Sequence, residues 1–195
     1  MARSPCDSDE TARKRADFRL ERVRIFAALF LMLGGLYANE LEYKVKAAFL
    51  FNFSKFIEWT TPLPQGEPFV IGIVGVDPFG DLLEQTVRNK TINGRSLVVR
   101  RYSNVKQLGP CHILFISASE RNRLGSILQA VAGTGTLTVS EIESFAALGG
   151  MINFVLENNK VRFEINPEAT ARSGLQVNAQ LLKLARVVRE RARTE

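Results

Sequence analysis

Phe69-Val70-Ile71-Gly72-Ile73-Val74, with Gly75-Val76-Asp77-Pro78 directly behind it, decides the fold class. The run is apolar throughout, short, and lacks the polar alternation of a strand with one wet face. Such a run suits a strand buried on both faces, as parallel sheets require. Asp77 then fits a helix N-cap and Pro78 the first helical position, so a helix is expected next. The same unit recurs downstream. His112-Ile113-Leu114-Phe115-Ile116 precedes a helix expected from Ser119 to about Val131, and Thr136–Val139 precedes Ser140 and Glu143, spaced as a capping box. Between them Asn93-Gly94 marks a tight turn into a strand over Ser96–Arg101. Strands alternating with helices predict an α/β fold, a mostly parallel sheet covered by helices on both faces.

Outward from this centre the pattern changes. Met151–Leu156 and Val161–Ile165 read as strands joined through Glu157-Asn158-Asn159-Lys160, a C-terminal β-hairpin. Pro167 opens a short helix ending at Gly174, and Asn178 caps a final helix through Leu181, Leu182, Ala185 and Val188. On the other side, Leu41, Val45, Ala48, Phe49, Phe53 and Phe56 recur at helical spacing, predicting a helix over Leu41–Trp59. Glu42, Lys44, Lys46 and Lys55 mark its wetter side, while Phe51 and Ile57 widen the apolar arc. Thr60 to Gly66, with two prolines, forms the loop that ends it.

The first 38 residues differ from the rest. Basic residues from Arg3 to Arg24 flank the apolar run Ile25–Leu33, and Gly34-Gly35-Leu36-Tyr37-Ala38 follows. This is the plan of a secretory signal peptide cleaved after Ala38, leaving 39–195 as one domain in the periplasm. A buried helix and an uncleaved anchor compete with it, although the run is short for a span of about 20 residues. The leader is long, and a true start near Leu20 or Val23 is a further expectation. No Cys follows the run, so a lipoprotein anchor is not suggested.

Of 195 residues 46% are hydrophobic and 24% charged, which excludes a disordered, collagen-like or multi-span membrane protein. One His and two Cys leave too few ligands for a structural zinc site, so no metal or other cofactor is expected. The net charge is +6, part of it in the leader. Lys183, Arg186, Arg189, Arg191 and Arg193 sit on the expected last helix without an aromatic platform, which argues against nucleic acid. Gly72, Gly75 and Gly80 match no phosphate-loop pattern, and Gly72 and Gly75 are expected to let helices pack closely on the strand. Ser103 and Lys106 have serine–lysine spacing without its companion motifs. His112 opens a strand and reads as structural rather than as a base; Cys111, unpaired once the leader with Cys6 is gone, is either buried or in an intermolecular disulfide.

Several segments in order resemble the YfiR family, YfiR/HmsC-like periplasmic regulators of diguanylate cyclases. They are Glu42–Trp59, Ile73–Gly80, Cys111–Ser117, Gly149–Phe154, Val161–Asn166 and Gln180–Ala185, spanning about 40 to 188. The resemblance implies a non-enzymatic, dimerising α/β regulator. It would bind the periplasmic domain of an inner-membrane diguanylate cyclase, hold it inactive, and be relieved by an OmpA-like outer-membrane lipoprotein, so controlling biofilm formation. Two departures stand out: Thr60-Thr61-Pro62 follows Trp59 instead of an immediate Pro, and Cys111 lacks the partner of a redox-sensitive pair.

The alternative is a small-solute-binding protein. Open α/β sheets bind ligands beyond the carboxyl ends of their strands, where Asp77, Phe79, Ser117, Ser119 and Ser140 fall. Each also opens or precedes a helix, and the role of cap or turn residue outweighs that of ligand. Among the motif residues Asn153, Arg162, Glu164 and Asn166, strand alternation puts Arg162 and Glu164 on one face, to pair there or to contact a partner.

Overall fold

The computed structural model describes residues 39–60 and 66–190. The chain divides into a unit ending at Leu41 and a second over Glu42–Glu195. Of the first only residues 39–41, helical, are described, and the fold below is that of the second. The signal-peptide segment and most of the Thr60–Gly66 loop lie outside the described residues. Among those described, no helix is long and apolar enough to cross a membrane.

Helix α1 covers residues 39–56, three short of the expected end. Ile57–Trp59 instead forms strand β1, because its antiparallel partner β9, Leu175–Val177, lies far along the chain. Next come β2 (Phe69–Val74), α2 (Leu82–Val87), β3 (Thr91–Ile92), β4 (Arg95–Tyr102), β5 (Ile113–Ile116), α3 (Leu124–Ala130) and β6 (Leu137–Ser140). The chain closes with β7 (Ile152–Glu157), β8 (Lys160–Ile165), α4 (Pro167–Arg172), β9, α5 (Ala179–Leu184) and β10 (Arg186–Val187).

The large sheet has eight strands in the order β10-β8-β7-β6-β5-β2-β4-β3. Strands β4, β2, β5, β6 and β7 run parallel, β3 and β8 antiparallel to their neighbours, and β10 parallel to β8. The sheet is therefore mixed, which corrects the expectation of a mostly parallel one. Its two hairpins have local causes. Asn93 and Gly94 adopt φ of 50° and 77°, Asn158 and Asn159 of 51° and 59°, as two-residue hairpin turns demand.

Four further expected helices are corrected. Asp77 starts a turn, and α2 begins only at Leu82. The helix over Ser119–Val131 splits into a 3-10 segment, Ala118–Arg123, and α3. Ser140 ends β6 rather than capping a helix; the 3-10 turn Phe145–Leu148 follows Ser144. The final helix stops at Leu184, and Val188 donates its N–H to Ile165 O at 2.8 Å beside β10. Arg186 is thus a strand residue, and Arg191 and Arg193 lie outside the described residues.

Strand periodicity sorts the core. Ile71, Ile73, Ile113, Phe115, Leu137 and Val139 join Leu50 and Phe53 of α1 in one cluster, while Val74, Leu114 and Ile116 meet Leu124 and Ile127 in another. Phe53 stacks on Phe154 with ring centroids 5.8 Å apart and meets Phe163 edge-on at 5.3 Å. Each such ring taken from water contributes about 1.5–3 kcal/mol. Two glycines have no tolerable substitute. A Cβ on Gly75, at φ +90°, would stand 2.5 Å from Ser119 Oγ, and one on Gly150 would stand 2.2 Å from the ring of buried Phe145.

Candidate functional site

The polar strand-end residues are engaged in turns. Asp77 accepts from Phe79 N–H at 2.7 Å through Oδ1 and pairs with Arg101 Nε at 2.7 Å through Oδ2. Arg101 also pairs with Glu84 and donates to Gly80 O at 2.8 Å. Burial is the largest single influence on the Glu84 carboxyl and works to raise it, but the hydrogen bond from Arg101, a backbone hydrogen bond and the Arg101 charge together hold the group low. Phe79 is a core residue, edge-on to Phe115 at 4.8 Å. Ser119 Oγ accepts from Val76 N–H at 3.0 Å and donates to Ser117 Oγ at 3.2 Å. Ser140 Oγ donates to Ile116 O at 2.6 Å and accepts from Ile142 N–H at 3.1 Å. Each of these polar side chains is engaged within the chain, which is the cap-and-turn role.

His112 ties the β2 and β5 edges together. Its Nδ1 accepts from Val70 N–H at 2.9 Å, and its ring stacks on Phe69 at 4.5 Å. Burial, reinforced by the charge of Arg95, holds its pKa below the usual histidine range. Burial also pushes the Cys111 thiol up to about 11, a poor value for thiolate chemistry.

The motif residues assemble differently. Asn166 is structural: its Oδ1 accepts from Ala169 N–H at 3.0 Å to cap α4, and its Nδ2 donates to Ala146 O at 2.9 Å. Glu164 is buried on β8 and its cation is Arg186 of β10, with Arg186 Nε at 2.9 Å from Oε1. Arg162 stays exposed opposite Val155. Asn153, opposite Glu164 on β7, donates through Nδ2 to Glu164 Oε2 at 3.1 Å. That bond fixes the amide's orientation, and Asn153 Oδ1 is left buried without a hydrogen-bond partner.

A second polar network stands close by, and the sequence reading misplaced it. Lys46, assigned above to the wetter side of α1, is 3% exposed. Its Nζ pairs with Glu42 and, at 2.5 Å, with Glu141 Oε2, while Tyr43 O–H donates to the same carboxylate at 3.1 Å. The i, i+4 spacing of Glu42 and Lys46 was the one sequence signal available. Glu141 is 95 residues further on and gives no local sign.

The two networks flank one cleft of about 510 Å³. It opens where β6 stops: Val139 and Ser140 pair with Ile152 and Asn153, and β7 then runs on to Glu157 with no β6 residue opposite. Glu42, Glu141, Glu143 and Glu164 line it against Lys46 and Arg186.

The described residues thus define a mixed α/β fold with a charged notch where β7 runs on past the ends of β6 and β5. Residues 43–186 match the YfiR/HmsC-like family, and the chain belongs to that family.

Proposed function

We propose that the protein is a periplasmic regulator that represses an inner-membrane diguanylate cyclase by binding the cyclase's periplasmic domain. Cyclic-di-GMP synthesis and biofilm formation then fall. The observation that carries this reading is the family match, which spans nearly all of the described chain. An OmpA-like outer-membrane lipoprotein as the relieving partner, and a homodimer as the working form, belong to the same proposal, as does export by residues 1–38. A repressor of this kind needs a surface with different affinity for two states of its target, and needs no reacting group. The internal engagement of Asp77, Ser117, Ser119 and Ser140 fits that role better than solute binding. Cys111, free and shielded, supports regulation by contact and not by a disulfide within the chain.

The test pairs genetics with binding. Deleting the gene should raise cyclic-di-GMP, and the purified protein should retain the periplasmic domain of the cognate cyclase. Unchanged cyclic-di-GMP together with no retained cyclase domain would remove the proposal.

A further inference from the structure

The notch beside β7 is an unfinished piece of sheet. In the β7–β8 hairpin Glu157 and Lys160 flank the two-residue turn, so they exchange both backbone bonds. Alternation then turns the backbone groups of Val155 and Asn153 toward β8 and those of Phe154 and Leu156 toward the β6 side. Ser140 is the last β6 residue there, opposite Asn153. Among the described residues no strand stands opposite Leu156, whose side chain is 55% exposed. The parallel pairing of Ser140 with Asn153 takes up the Phe154 N–H, and the Phe154 C=O with the Leu156 N–H and C=O remains as a template for another strand.

The chemistry of the rim selects the occupant. Four carboxylates line the notch against two cations, and those cations are already committed, Lys46 to Glu42 and Glu141, Arg186 to Glu164 and Glu157. Glu143 has only an exposed pair with Arg121, outside the lining, so carboxylates still outnumber cations. An entering acidic chain meets repulsion, whereas a basic one meets unspent negative charge. Asn153 lines the inner end and offers a buried acceptor that only a donor completes. We infer that the notch receives an extended, lysine- or arginine-bearing segment of a partner protein, added as a strand beside Phe154–Leu156 in line with β6. This inference rests on the reading that the protein acts by binding a partner, and names the surface used.

The probes are two capped pentapeptides, one alternating lysine with valine, the other glutamate with valine. The purified protein should bind the lysine peptide at least about tenfold more tightly, and slow exchange of the Leu156 amide should accompany binding. Leu156→Pro removes the free N–H without touching a β8 bond, and should weaken binding about tenfold, the factor for one net hydrogen bond. Glu143→Lys reverses an exposed rim charge whose surface pair with Arg121, at 3.3 Å, is worth little, and should weaken it several-fold even if the proline variant misfolds. Equal binding of both peptides, or a lysine peptide indifferent to Glu143→Lys, overturns the inference. The periplasmic cyclase domain serves as a separate analyte. If it binds the protein and the Glu143→Lys variant alike, the notch is not the surface and the regulator reading stands. If it does not bind while the lysine peptide does, the notch stands and the choice of partner falls.

Discussion

Single residues here carry constraints that their neighbours impose. Gly150 faces the Phe145 ring at a distance no Cβ tolerates, and Phe145 is fully buried and has nowhere to move. Gly150→Ala should cost about 3 kcal/mol in urea unfolding. In a Phe145→Leu background the same change should cost at least about 1 kcal/mol less, because the two sites share one volume. His112 predicts a pH effect of definite sign. The folded chain holds it neutral, since Nδ1 must accept from Val70 N–H, and its pKa is depressed by burial. Its contribution is complete above the unfolded value of about 6.5 and is lost as pH falls toward and through the folded value. The urea midpoint should therefore drop between pH 7.5 and pH 5. His112→Asn, which keeps an acceptor but does not titrate, should flatten that part of the curve, and an unchanged slope would remove histidine from the account.

At the scale of elements, α1 is fixed by an apolar face and by one buried cation. Phe53→Ala removes a ring packed between Phe49, Phe154 and Phe163, and should cost about 3–5 kcal/mol by thermal or urea unfolding. Lys46→Met leaves Glu42 and Glu141 facing each other without their cation. The expected loss is about 2 kcal/mol, below that of a fully enclosed pair because both carboxylates keep some contact with water. Adding Glu141→Gln to Lys46→Met should return part of it. What the sequence made legible divides along the same line. The runs Phe69–Val74 and Ile113–Ile116 announce buried strands, and Asn93-Gly94 and Asn158-Asn159 announce hairpins, because their causes lie within a few residues. Strands β1, β9 and β10 have two or three residues each, and only partners far along the chain make them strands. Lys46 read as a surface residue for the same reason, since Glu141 neutralises it from another part of the molecule. The candidate cleft was legible in Asn153 and Glu164 and in the i, i+4 spacing of Glu42 and Lys46; strand ends alone pointed to Asp77 and the serines, which the fold uses for turns.

For the whole molecule, the expected maturation gives a direct measurement. If residues 1–38 direct export, protein recovered from the periplasm should begin at Asn39, read by intact mass or N-terminal sequencing. A chain retaining the apolar run would instead mark an anchored form. The small β1–β9 sheet bears on that journey. It joins segments more than a hundred residues apart, so in an exported chain β1 would leave the membrane pore long before its mate. Pairings of such separation are slow to close. An exported chain would therefore stay loose while it threads across, and the two-residue β10 could join the rim of the sheet only after β8, its partner earlier in the chain, had come through.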